Sequence, residues 1–229
     1  MIAITFALPT ESSDLIRQLR DVGKEGDLIH GKIHNHALAV LHSGVGATNC
    51  NERIEKLLHK TRPRLVISSG FAGAVAENLA VGDLILAENF SDPQLLAGAE
   101  KILRHRKPPV VKLFTSTSIV DSIAERNEIA RKSGAAAVDM ETGAIVGVCS
   151  AHGVPVLSLR AISDAPGDPL PAPPGVLFDL ERQRTNYGRL FAYILREPAS
   201  IGRLFGFSRQ IGRVRAALTE ALVVLVREI

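Results

Sequence analysis

Short runs rich in Val, Ile and Leu alternate along the chain with amphipathic stretches of helical length. Residues 2–7 (IAITFA) read as a strand. Thr10 is placed to cap a helix running to about Arg20. Residues 29–33 and 37–42 read as a hairpin with His34, Asn35 and His36 near its turn. Residues 47–59 form a helical pattern with Ile54, Leu57 and Leu58 on one face. Residues 65–69 read as a buried strand, and the small residues 70–73 after it as a loop. Further strands are expected over 83–89, 110–115, 136–139 and 155–162, and helices over 119–133 and 141–152.

This alternation predicts an α/β sandwich around a largely buried, mostly parallel sheet. The pattern changes after Asp164. Pro166, Pro169, Pro171, Pro173 and Pro174 mark 165–175 as a loop. Beyond it, residues 186–195, 199–205 and 209–227 carry helical periodicity, with Pro198 suited to the first turn of the second helix. We therefore divide the chain into a core of residues 1–165 and a Pro-rich loop with a helical C-terminal extension, 166–229, of the same domain.

Composition narrows the function. Trp is absent and aromatics make up only 4%, which argues against stacking platforms for nucleic acid. The formal charge of +3 is concentrated at the end, where Arg196, Arg203, Arg209, Arg213, Arg215 and Arg227 face Glu197, Glu220 and Glu228. A basic amphipathic tail suits either a peripheral membrane contact or a helix packed on the protein itself. Cys50 and Cys149 stand in apolar or helical surroundings without a CxxC pair and read as buried thiols. The opening residues carry no basic n-region, so a cytoplasmic location is expected. The seven histidines are read as scattered, none paired at i, i+4 with an acidic partner in a zinc pattern, and no metal or cofactor is expected.

Candidate chemistry clusters where α/β proteins place ligands, at the carboxyl ends of strands. Glu11 follows the first strand. Ser43-Gly44-Val45-Gly46 precedes a helix. Ser69, Gly70, Phe71, Ala72 and Gly73 follow another strand. The segments VDMET (138–142) and LRAISD (159–164) bring Met140, Glu141, Ser163 and Asp164. Alone, each has an ordinary reading: a tight turn for the glycines, a turn residue for Asp164, a first-turn acid for Glu11, core filling for Met140.

Together they resemble the nucleoside phosphorylase and nucleosidase superfamily, the methylthioadenosine/S-adenosylhomocysteine nucleosidases in particular. The likeness covers about residues 1–165. Its most specific part is the pair of segments above, with Met140 and Asp164 separated by 24 positions. The resemblance implies a three-layer sandwich with a central mixed sheet. It also implies cleavage of the N-glycosidic bond of an adenine nucleoside. Asp164 would be the acid that protonates N7 of the departing base, with Ser163 orienting it. A carboxyl group can donate to N7 and accept from the N6 amine of adenine. As an acid near neutral pH it would need burial to hold its proton. Glu141 would hold the ribose hydroxyls and stabilise the cationic sugar, Met140 would lie beneath the sugar, and Glu11 would activate water.

Two departures matter. Asp139 stands where the family has Glu, so it is assigned a supporting role. The stretch LVISSGFAG lacks the arginine that phosphorolytic relatives use for phosphate, which favours water as nucleophile. Phosphorolysis stays as the alternative, with Arg53, Arg62 or Arg64 supplied across a homodimer. Residues 170–175 (LPAPPG) and 195–205 (LREPASIGRLF) resemble a hopanoid-associated subgroup that removes adenine from adenosylhopane. A catalytically silent, ligand-binding or membrane-associated descendant is the third reading.

Overall fold

The computed structural model describes residues 1–166, 171–177, 193, 195–197 and 200–229. A ten-stranded sheet forms the middle layer. Its centre is parallel: β1 (Ile2–Phe6) lies between β4 (His36–His42) and β5 (Leu65–Ala74), and β5 pairs in parallel with β10 (Val156–Asp164). On one side β2 (Arg20–Glu25) and β3 (Leu28–Ile33) extend it as an antiparallel meander. On the other, β6 (Leu84–Ala87) runs antiparallel to β10 and carries β7 (Val110–Val111). The strands β8 (Leu113–Thr115) and β9 (Ala137–Asp139) branch off the far end of β5.

Helices cover both faces. Against one lie α1 (Pro9–Gln18), α3 (Pro93–Ile102) and the long C-terminal α7 (Ser200–Glu228). Here Ile4, Leu15, Ile67 and Leu159 meet Leu218, Leu222 and Leu225 in one buried cluster. The opposite face is covered by α2 (Ala47–Thr61) and α5 (Thr142–Ala151), through Cys50, Ile54, Leu57, Ile145 and Cys149. The helix α4 (Ile123–Ser133) flanks β9, and α6 (Pro174–Leu177) is a single turn. Both thiols are free and buried, and burial pushes each up to about 12, so they are inert core groups.

Several boundaries differ from the sequence reading. The first helix starts at Pro9 with Leu8 as its cap, and Thr10 lies inside the first turn. Proline suits that position because its missing N–H has no helical partner there. Exposed β2 was not expected, because RDVGKE has no apolar alternation; its pairing with β3 forms it. The helix α3 was also unforeseen, although Asp92 caps it by accepting from Gln94 N and Leu95 N. Residues 110–115 divide into two strands with different partners, and the helix expected from 119 starts only after Ser122, which caps it.

Two differences bear on function. Residues 70–73 are strand, since β5 continues along β10 to Asp164 and meets β9 at Gly73. The two helices expected over 199–227 are one helix, whose second half belongs to the core. Val214, Leu218 and Leu225 therefore pack on protein, while Ile201 and Phe205 in the first half stay exposed. The helix expected over 186–195 and its neighbour Pro198 fall largely outside the described residues. Among the described residues no helix is long and apolar enough to cross a membrane. The histidine reading also needs correction: Glu55 and His59 stand i, i+4 on α2, and the fold brings His152 to them.

Candidate active site

The carboxyl ends of β1, β5 and β10 and the β9–α5 junction enclose a cavity of about 310 Å³. Glu11, Phe71, Ala72, Gly73, Met140, Glu141, Ser163 and Asp164 all line it, so eight sequence-predicted residues converge from four separate segments. Gly46, Ser69 and Gly70 do not line the cavity. Gly46 nevertheless serves it, because its N–H at the start of α2 donates to Glu141 Oε1 at 3.2 Å. The glycine loop thus cradles a carboxylate of the protein's own. Ser69 is buried, and its hydroxyl has no hydrogen-bond partner among the described residues.

The glycines of β5 have a steric purpose. A Cβ on Gly70 would lie 2.7 Å from Arg160 Nη1 and 3.0 Å from Glu11 Oε1, and the residue's φ of 141° suits glycine. A Cβ on Gly73 would lie 3.0 Å from Asp164 Oδ2 and 3.3 Å from Arg126 Nη1. Each glycine leaves room for a carboxylate beside a guanidinium.

Glu11 sits in the first turn of α1 with its carboxyl turned inward. It accepts from Leu8 N at 2.9 Å and Phe71 N at 3.0 Å. Burial raises its pKa, against the opposing pull of those N–H groups and of Arg160. Glu141 caps α5 at the end of β9. Burial, reinforced by the charge of Asp139, pushes it up to about 8. Asp139 also lines the cavity, but its oxygens are engaged elsewhere. They take Arg160 Nη2 at 2.9 Å, Thr115 Oγ1 at 2.9 Å and the backbone N–H of Thr142 at 3.0 Å. Its side chain is held as a support for the guanidinium beneath the site.

Asp164 stands in a different environment from the one expected. Its Oδ1 accepts from Ser163 Oγ at 2.7 Å, and its Oδ2 is ion-paired with Arg126 of α4. Arg126 is itself buried and also donates to the carbonyls of Ala74 and Val120. The acid therefore faces a guanidinium rather than apolar walls alone. Arg126 escaped sequence reasoning because the segment IAERNEIARKS looks like a solvated helix face. Phe207 escaped it too: it reaches the cavity from α7, and Gln210 on the same helix donates to Ser163 O at 3.3 Å.

Residues 1–92 and 87–196 match the model of the phosphorylase superfamily. The chain belongs to that superfamily. Among its relatives, a 5'-methylthioadenosine/S-adenosylhomocysteine nucleosidase of Staphylococcus haemolyticus is 27% identical over 197 residues, covering 72% of this chain and 86% of that protein. One of the same name from Haemophilus ducreyi is 32% identical over 165 residues, covering 60% and 71%. The S-adenosylhomocysteine nucleosidase of Streptococcus pyogenes, solved with 5-methylthiotubericidin, shares the superfamily fold with a TM-score of 0.77. That match has 22% identity and covers 100% of this chain and 96% of that one. A futalosine hydrolase of Helicobacter pylori has the same fold at a TM-score of 0.74 and 18% identity, with 100% and 97% covered.

Proposed function

We propose that this superfamily member hydrolyses the N-glycosidic bond of a 5'-substituted adenosine and releases adenine. The observation that carries the reading is the convergence of Glu11, Glu141 and Asp164 on one largely apolar cavity of about 310 Å³. That volume lies at the lower end of small-molecule sites. The nucleosidases among its relatives cleave this class of bond by name.

The chemistry needs three carboxyl groups with different duties. Departure of adenine leaves positive charge on the sugar and puts electrons on the base. Once the purine edge has taken the place of the guanidinium, Asp164 takes up a proton from solvent and delivers it to N7, so the base leaves neutral. Ser163 fixes the carboxyl, and Arg126 holds it until the purine edge displaces the guanidinium. Glu141 receives the 2'- and 3'-hydroxyls above Met140. Burial pushes its carboxyl up to about 8; the growing cation on the sugar favours its ionised form, and the two charges then attract. Glu11, made more basic by burial, takes a proton from water as the oxygen bonds to C1'. The products are adenine and the free sugar.

Water is favoured over phosphate because Arg160 is bound to Asp139, Ser68 and Thr142 and the stretch LVISSGFAG carries no arginine. A finer reading concerns the 5'-group. Phe207 in the cavity suits an apolar substituent, as in adenosylhopane. The test is release of adenine from 5'-methylthioadenosine and from a lipidic adenosine, with and without phosphate. Release without phosphate supports hydrolysis; release only with phosphate reverses the choice of nucleophile. No release from any nucleoside supports a silent descendant of the fold.

A further inference from the structure

We propose that Glu55, His59 and His152 form a binding site for a divalent transition-metal ion of the zinc type, on the face of the molecule carrying α2 and α5. The two histidines and the carboxylate present donor atoms that all lie within 4.8 Å of one another. Glu55 Oε2 is the hub: it is 2.7 Å from His152 Nε2 and 3.7 Å from His59 Nε2. The imidazole rings stand edge to face at 86°, with centroids 5.3 Å apart, so both nitrogens address the same carboxylate. Ligands of a tetrahedral zinc ion, each at about 2.1 Å from the metal, are roughly 3.4 Å apart. Small side-chain rotations bring these donors to that spacing, and their exposure leaves water to complete the shell.

The backbone also favours a cation here. His59 lies in the last turn of α2, and His152 is the C-cap of α5. Both helices thus direct the negative ends of their dipoles toward the cluster. Imidazole and carboxylate donors together select zinc, nickel or copper over magnesium. An ion at this place ties the C-terminal ends of α2 and α5. Their N-terminal ends already meet, through Gly46 N and Glu141 Oε1. The clamp thus acts on two helices that start at the active-site cavity, without entering it.

The experiment uses the full chain without a histidine tag, stripped with chelator and titrated with Zn²⁺ by calorimetry. A parallel Co²⁺ titration is followed by visible absorption. Expected are one ion per chain at the site, a tetrahedral Co²⁺ spectrum, and a melting temperature that rises with Zn²⁺ but not with Mg²⁺. His59→Ala and His152→Ala each weaken Zn²⁺ binding at least about tenfold, and the double variant loses the thermal shift. Both side chains are exposed, so the variants are expected to fold. Absence of binding to the wild-type protein, or unchanged binding in the double variant, overturns the proposal. Adenine release plays no part in this readout, so the site stands or falls apart from the proposed reaction.

Discussion

Arg126 and Asp164 form an ion pair at the edge of the cavity, and the bare Cα of Gly73 is what makes room for it. The guanidinium is buried and held by two backbone carbonyls as well as by the carboxylate. Asp164 therefore rests against a guanidinium, with Ser163 Oγ donating to its other oxygen.

Gly73→Ala places a methyl group 3.0 Å from Asp164 Oδ2, 3.3 Å from Arg126 Nη1 and 3.5 Å from Val138 Cγ1. The pair must shift, and kcat for adenine release is expected to fall at least about tenfold, since small misplacements of reacting groups are costly. Arg126→Lys keeps a charge but not the fork that spans two carbonyls and a carboxylate, so it rescues only part of the activity lost in Arg126→Ala. Steady-state kinetics of the three variants check this.

Glu141 gives a prediction about pH. Burial pushes its carboxyl up to about 8 in the folded protein, far above the usual carboxylate range. Folding therefore favours its protonated form. The stability tied to that proton is complete below about pH 4.5 and is lost as the pH rises through about 8. Glu141→Gln removes this dependence. The variant is expected to be more stable than the wild-type protein at pH 9, by an amount on the order of a few kcal/mol, and nearly inactive. Denaturant melts at pH 5 and pH 9 measure it. For the wild-type enzyme, kcat/KM, which reports the free enzyme, should rise with pH toward about 8 as Glu141 ionises.

Glu11→Gln tests the water-activating role. One of the two N–H groups from Leu8 and Phe71 then faces an amide N–H₂, which costs about 1–3 kcal/mol of stability. The fold is expected to survive while kcat drops by about 10²–10⁴. Retained wild-type kcat removes Glu11 from the mechanism.

Phe207→Ala separates binding of the 5'-group from chemistry. The expected result is a KM increase that is larger for substrates with bulky apolar 5'-groups than for adenosine, with kcat little changed. Equal effects on all substrates would assign Phe207 to packing.

The sequence carried the site better than it carried the fold around it. VDMET and RAISD were legible because their residue types and separation are specific, and the structure brings both to one cavity with Glu11. GFAG (70–73) reads as a loop because its small residues carry no strand periodicity. Its glycines are small for another reason, the carboxylates of Glu11 and Asp164 packed against them. Arg126 left no trace, since a buried arginine in a charged helical segment looks like its solvated neighbours. The C-terminal helix reads as two in the sequence, 199–205 and 209–227; Gly206 between them weakens helix locally, and packing of Leu218, Leu222 and Leu225 against the sheet outweighs that preference. The i, i+4 spacing of Glu55 and His59 is visible in the sequence, and His152 joins them only through the fold.

The account depends most on Asp164 handing a proton to the leaving base. The direct measurement compares wild-type protein and Asp164→Asn on two substrates with the same 5'-methylthioribosyl group, one carrying adenine and one carrying p-nitrophenolate, a leaving group that departs without protonation. The account predicts a loss of about 10²–10⁴ in kcat with adenine and little loss with p-nitrophenolate. Equal losses on both substrates would contradict it.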